Sequence, residues 1–407
     1  MLKRFYTNIN FVCLLLIAFF IPVSKKAVPL LILIYGLNWL LLQNYKDKFL
    51  SLKKHILKVL FLSSIFLIYF LSLSYTSNMV SGWFDMEVKL TLFLLPLILF
   101  SNPLPDKMDV KKLLIAFISG CFVATVICLI NAAQRYFESG DINVFLYSSF
   151  SILFHPTYFA LYLNFAIVIL LGFIIDNKTQ NNYLRIIYAF LIFFFSVGIA
   201  LANSKAVFLT LIFTFFIAGM YYGYKKGILR TSIILSLGLI IIIALIFIKT
   251  PLISGRLKAS AGIVDNMIHH ENPSDYESTS QRIQAWQSSI AIIKKNFLIG
   301  VGAGDVKDVL IKEYTKQNFE FLVENKLNAH NQFLQTLIAT GIMGVFILLS
   351  LFILPIINSF KRRNFIYCSF LLIVVLNLLT ESMFETQAGV IFFAFFNSYL
   401  FAENAKE

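Results

Sequence analysis

Charge is scarce in this chain: Asp, Glu, Lys and Arg make up 14% of its 407 residues, against about 25% in a soluble domain. Apolar residues reach 59%, and the mean hydropathy is +0.80. Those figures exclude a soluble globular protein, and apolar runs of membrane-spanning length recur along the sequence, which leaves a multi-pass membrane protein. Cysteine is nearly absent as well. Cys13, Cys121, Cys128 and Cys368 all lie inside apolar runs, where they behave as small hydrophobes, so neither a disulfide framework nor a thiolate metal site is expected. Also missing are solenoid repeats, low-complexity tracts and any A-x-A-like cleavage site after the first apolar run, Phe11 to Val23. A second apolar run follows at once, so the first is read as a span and not as a signal peptide.

The net charge of +13 would point a soluble chain toward nucleic acid. In a membrane chain it follows from insertion, because cytoplasmic loops keep Lys and Arg, and no nucleic-acid partner is expected. Polar breaks divide the apolar sequence into twelve candidate spans near 9–23, 27–42, 56–74, 87–100, 113–132, 157–175, 186–202, 206–222, 231–249, 332–357, 365–380 and 388–402. The run at 87–100 is the shortest of evidence, and without it everything after it would invert. With the N-terminus inside, nineteen Lys and Arg fall on the cytoplasmic side and five (Lys25, Lys26, Lys89, Arg135 and Lys205) on short outer turns; the other ten lie in one long segment, Lys249 to Lys326. Long segments translocate largely regardless of charge, so the bias puts both termini in the cytoplasm.

The expected organisation is therefore an all-α bundle of about twelve transmembrane helices: 1–249 carries nine spans, 250–331 an outer loop with short helices, and 332–407 the last three spans. Only the loop has the composition of a water-exposed segment. Thr279 or Ser280 can cap a helix through Arg282 and Trp286 to Lys294 and Lys295, whose charges suit a helix C-terminus. Asp305 can cap a second helix through Leu310 and Tyr314. Asn296 to Asp305 is glycine-rich but has no preceding strand of a βαβ unit and no following Lys-Ser/Thr, so it reads as a tight backbone turn and not as a phosphate cradle. His269, His270 and Glu271 have no third histidine at a supporting spacing, so no metal site is expected there.

Several side chains have both a chemical and a plain reading. Arg282 and Trp286, at i and i+4, share a helix face; the guanidinium can bind phosphate oxygens bidentately, or the pair can mark an interfacial helix. Arg256, at the start of the loop, has the same two readings. His330, in Asn328-Ala329-His330-Asn331, stands where polar chain meets the next apolar helix; it can take a proton from a hydroxyl, or His330 or Asn331 simply caps that helix. Ser204-Lys205, His155-Pro156-Thr157-Tyr158 and Glu381 with Glu385 all fall at outer helix ends. Ionisable groups near membrane depth usually face a protein interior or a water-filled cavity, so their convergence on one side suggests a site, although Lys205 can equally be a snorkelling lysine.

These residues together resemble the bacterial O-antigen ligase family, which includes related polymerases of surface polysaccharides. The resemblance rests on Arg282, Trp286, the Asn296 to Gly304 turn, Ala329-His330-Asn331 with Leu334, Gly341-Ile342-Met343-Gly344, and Glu381-Ser382-Met383-Phe384-Glu385 before Gly389. It implies a GT-C-like helical membrane glycosyltransferase of the bacterial inner membrane, with twelve spans and a large periplasmic loop between the ninth and tenth. The implied reaction moves a glycan from undecaprenyl diphosphate to an acceptor hydroxyl at the periplasmic face, with inversion and without metal or cofactor. O-antigen ligation onto lipid A core, in lipopolysaccharide biosynthesis, is the leading expectation. A polymerase of the same chemistry is the nearest alternative, and a multi-pass polysaccharide-lipid transporter a further one. The resemblance assigns the diphosphate to Arg282 and Arg256 and the catalytic imidazole to His330. Where the family often has Arg after Ser, this chain has Lys205, which keeps the charge and loses the bidentate fork. Trp286, Asn331, His155, Tyr158, Glu381 and Glu385 are expected to support the site.

Overall fold

The computed structural model describes residues 2–41, 45–102, 107–176, 182–234, 236–238 and 278–404. Among them every regular element is helical, with no strand. Before the outer segment come α1 (Leu2–Phe20), α2 (Ala27–Leu41), α3 (Tyr45–Leu62), α4 (Ser64–Ser72), α5 (Met79–Lys89), α6 (Thr91–Ser101), α7 (Lys107–Ser139), α8 (Tyr147–Phe150), α9 (Pro156–Asp176), α10 (Asn182–Ala202) and α11 (Lys205–Lys226). The segment after α11, expected on the outer side and called the outer segment for that reason, contributes α12 (Ser278–Asn296), α13 (Val306–Lys316) and α14 (Glu320–Glu324). The chain then runs through α15 (Gln332–Lys361), α16 (Phe365–Leu378) and α17 (Gln387–Asn404). In hydrocarbon each backbone donor and acceptor needs an internal partner, which a helix supplies within one segment.

Among the described residues, five helices are long and apolar enough to cross a membrane: Met108–Ser139, Pro156–Ile175, Asn182–Ala202, Ala206–Lys226 and Gln332–Lys361. Shorter apolar helices, among them Ile9–Phe20, Ser64–Tyr75 and Phe365–Leu378, accompany them. Two expected spans differ. The run at 87–100 is divided between α5 and α6, which meet at Leu90; Lys89 at the end of α5 is fully buried and has the half-buried acids Asp85 and Glu385 as partners. In the run at 56–74, α3 ends at Leu62 and α4 begins at Ser64, with Ser63 (φ −90°, ψ −1°) between them. Most of the span expected at 231–249, and the loop from 250 to 277 with His269, His270 and Glu271, lie outside the described residues.

Two helices form the centre. Both α9 and α17 are buried on almost every side, which is why they are apolar all round and carry no polar stripe. Phe117, Phe165, Phe392 and Phe396, from α7, α9 and α17, pack ring against ring with centroids 4.7 to 6.0 Å apart. The 33 residues of α7 make a rod of about 50 Å at 1.5 Å per residue, longer than a hydrocarbon core of about 30 Å. Its C-terminal end holds the following segment through Arg135, whose guanidinium donates to the Ser149 carbonyl at 2.9 Å.

The outer segment is fastened to this bundle by its glycine-rich turn. At Gly341 the backbone of α15 (φ 65°, ψ −163°) breaks the helical ladder. The turn supplies the bonds that the break frees: Val301 N–H donates to the Ile338 carbonyl (2.8 Å), Gly302 N–H to the Ala339 carbonyl (3.0 Å), and the Phe297 carbonyl accepts from Ile342 N–H (3.0 Å). Gly300 and Gly302 have positive φ there. A Cβ on Gly341 would run into the Leu298 carbonyl. Replacing Gly341 by Ala should therefore cost at least about 2 kcal/mol, combining left-handed strain with backbone contact. The cost would be read as a lower thermal midpoint in detergent; an unchanged midpoint would contradict this docking.

Candidate active site

The site is assembled from three chain segments. On α12, Arg282 and Trp286 lie one turn apart on the same face. Thr279 and Ser280, expected as caps, fall inside the helix, which is already formed at Ser278. Asp305 makes no side-chain cap on α13; its two oxygens instead accept from Ser77 N–H and Asn78 N–H, each at 2.7 Å. The carboxylate thus meets the amides just ahead of α5, where a helix start favours an anion, and ties the outer segment to the bundle at a second point.

Of the two residues before α15, Asn331 is the cap. Its Oδ1 accepts from Phe333 N–H (2.9 Å) and Leu334 N–H (3.1 Å). Its Nδ2 donates to the Leu379 carbonyl (3.0 Å) and its backbone N–H to Ser382 Oγ (3.1 Å), so the start of α15 is held to the turn after α16. His330 is left free of capping. It sits at φ 47°, with its N–H donating to Asn328 Oδ1 (2.9 Å) and its carbonyl accepting from Trp286 Nε1 (3.4 Å). Trp286 therefore holds the His330 backbone while Arg282 reaches past it.

The two side chains meet at Glu381. Arg282 Nη2 lies 3.8 Å from Glu381 Oε2, and His330 Nδ1 lies 3.7 Å from Glu381 Oε1. These are electrostatic contacts, longer than hydrogen bonds. Arg282 Nε, His330 Nδ1 and Glu381 Oε2 are buried and have no hydrogen-bond partner among the described residues. Buried polar atoms are almost always satisfied, so a cluster of three that are not is the arrangement of a binding site. Burial alone would raise the Glu381 pKa; His330, Arg282 and His155 outweigh it and leave the carboxyl below its ordinary value. Burial lowers the pKa of His155; Glu381 opposes that shift, while Arg282, His330 and Lys25 add to it. The result is a carboxylate held in its ionised form among basic side chains.

His155 and Tyr158, at the start of α9, border a cavity of about 270 Å³. Glu385 does not join the Glu381 cluster. It pairs at 3.1 Å with Lys89, which also contacts Asp85 and lies 4.6 Å from the Tyr69 ring centroid. Sequence reading counted Lys89 as an outer-turn charge and missed this buried group; the signal was Asp85 and Lys89 at i, i+4 on an otherwise apolar stretch. Ser204 is buried at the start of α11. The Lys205 side chain and all of Arg256 lie outside the described residues.

The depressed Glu381 pKa has a definite sign in stability. An unfolded glutamate titrates near about 4.3, so the carboxylate contributes fully above that value and loses its contribution as pH falls through the lower folded value. The difference in thermal midpoint between wild type and Glu381→Gln should not shrink from pH 8 to 5 and should shrink below about pH 4. A difference already shrinking between pH 7 and 5 would mean that burial wins and the pKa is raised.

Residues 189–349 match the family model described as O-antigen ligase. No curated protein matches the chain. The matched stretch runs from α10 to the kinked α15 and holds Arg282, Trp286, His330, Asn331 and the glycine turn, whereas His155, Glu381 and Glu385 lie outside it. Over that stretch the chain is similar to the O-antigen ligase family.

Proposed function

We propose that the protein transfers a glycan from undecaprenyl diphosphate to an acceptor hydroxyl on the periplasmic face of the bacterial inner membrane, most simply as the ligase that joins O-antigen to lipid A core. The observation that carries this reading is the meeting of Arg282 and His330 at one buried carboxylate, Glu381. An oxygen of the acceptor attacks the anomeric carbon, the bond from that carbon to the phosphate oxygen breaks, and undecaprenyl diphosphate leaves with the electron pair. The leaving group is weakly basic, so stabilising its growing charge matters more than protonating it. Arg282 does this; Arg256 and Lys205 are assigned to the same diphosphate by family resemblance.

The hydroxyl is a weak nucleophile, and His330 takes its proton. Glu381 faces Nδ1 of His330. A proton kept on Nδ1 by that carboxylate leaves the Nε2 lone pair for the acceptor, the same division of labour by which a carboxylate orients a catalytic imidazole in hydrolases. No step calls on a metal, and both termini are assigned to the cytoplasm by the charge bias of the loops. A polymerase would use the same centre with a second lipid-linked repeat as acceptor; the single sizeable outer segment favours the ligase.

In vitro transfer from an undecaprenyl-diphosphate-linked donor to a choice of acceptors tests the reading. Arg282→Ala and His330→Ala should each reduce transfer by at least about 100-fold, the usual scale for a lost general base or charge clamp, with protein level intact. EDTA should change little. Transfer at the wild-type rate in either variant would remove the site assignment, a strict need for divalent metal would remove the mechanism, and preference for a lipid-linked repeat would make the protein a polymerase.

A further inference from the structure

A cavity of about 270 Å³ lies at the outer ends of α1, α2, α9 and α17. Its walls are Ile21, Val28, Phe154, Tyr162 and Ile391, and its polar edge is Lys25, His155, Tyr158 and Gln387. Three of these polar groups are not consumed by the fold. The Tyr158 hydroxyl is buried and has no hydrogen-bond partner within 3.5 Å among the described residues, although the Thr386 hydroxyl is near enough to act on it. The Lys25 ammonium, 5.3 Å from the Phe154 ring centroid, has no carboxylate partner there, and the lining contains no acidic residue. His155 stands at the edge, its ring partly shielded although the residue reaches solvent, and is close enough to Glu381, Arg282 and His330 for their charges to act on it. The other hydroxyls are already used. Ser24 Oγ accepts from Ala27 N–H at 3.2 Å, Thr386 Oγ1 donates to the Met383 carbonyl at 3.4 Å, and the Tyr162 hydroxyl donates to the Ala388 carbonyl at 2.9 Å.

An apolar and aromatic wall facing a few converging donors and acceptors is what a small polar ring requires. Its C–H faces cover aromatic rings, and its hydroxyls find partners at the edge. A purely apolar ligand would leave the Tyr158 hydroxyl unpaired, a cost of the kind that buried polar groups rarely bear. A bare phosphate would find only one fixed cation and would lie in the field of the ionised Glu381. Resting on the glycan-transfer reading, we propose that this cavity is a sugar subsite: it seats one pyranose ring next to the Arg282, Glu381 and His330 centre. Tyr158 and His155 hydrogen-bond the ring hydroxyls, Phe154 lies along its face, and Lys25 donates to an oxygen of the ring or of a substituent on it. The ring can belong to the donor or to the acceptor. Either way, these residues select which sugar is presented to the reaction.

Tyr158→Phe and Lys25→Gln test the subsite in full-length protein held in nanodiscs. Saturation-transfer NMR uses two probes, each alone: the oligosaccharide released from the cell's own lipid-linked donor, and the oligosaccharide released from its surface glycolipid acceptor. One probe should bind wild type through its ring protons, and each variant should weaken that binding roughly fivefold, the scale of one hydrogen bond. The KM of the same substrate should rise in transfer assays with kcat little changed. Because Tyr158→Phe deletes a hydroxyl that is unsatisfied in the free protein, its thermal midpoint should hold or rise, whereas a merely structural tyrosine would lower it. Whichever probe binds identifies the ring as donor or acceptor. Equal binding in wild type and both variants, or binding of neither probe, overturns the subsite. Binding needs no turnover, so sugar binding without transfer would count against the enzymatic reading alone, and full transfer with unaltered variants against the subsite alone.

Discussion

Everything proposed for this protein depends on one carboxylate. Glu381 lies where a bundle turn meets the outer segment, largely buried, with Arg282 and His330 on either side of it. A buried charge is tolerated only when partners compensate its lost hydration, and removing one partner from such a group costs about 3–5 kcal/mol. The carboxylate therefore draws a guanidinium from α12 and an imidazole from the loop before α15 into one place, although they are 48 residues apart in sequence. It also keeps both near enough to act on one substrate.

That meeting needs the outer segment to sit in one position, and backbone chemistry provides it. The turn at 297–302 occupies the break at Gly341 and takes over the hydrogen bonds that α15 gives up there. Asp305 fastens the same segment to the amides before α5, and Asn331 ties the start of α15 to Leu379 and Ser382, beside Glu381. The glycines of the turn are used for close approach of backbone to backbone, which is why they resemble a phosphate loop in composition and serve another purpose. A second charged group, Lys89 with Asp85 and Glu385, binds α5 to the same turn that carries Glu381. Arg282 thus rests on a helix, His330 and Glu381 stand on turns at helix ends, and the segment is held from three directions.

Much of this was legible in sequence, for reasons that can be traced residue by residue. Apolar runs without periodic polarity identify helices buried on all sides, and α9 and α17 are of that kind. Arg282 and Trp286 at i, i+4 announced a shared face, and the family motif directed attention to His330. Glu381 was visible as a carboxylate at an outer helix end, but its partner was not, because an ion pair between segments about 100 residues apart leaves no local pattern. Lys89 was misplaced for a related reason: charge counting treats every Lys near a span end as exposed, whereas a lysine with two acids in reach can be buried whole. Caps were misread at Asp305 and Ser280 because the same side chain can serve its own helix or a neighbour's, and only tertiary packing decides. Glu385 was grouped with Glu381 by proximity in sequence, yet four residues of turn aim it at Lys89.

The most direct test is whether Arg282 and His330 work as one unit through Glu381. Arg282→Lys and His330→Gln leave residual activity to measure, so transfer rates of the two single variants and the double variant form a complete cycle. Residues that act as a unit give strongly non-additive losses. The double variant should be about as slow as the slower single variant; losses that multiply as though the two residues were independent would contradict the account.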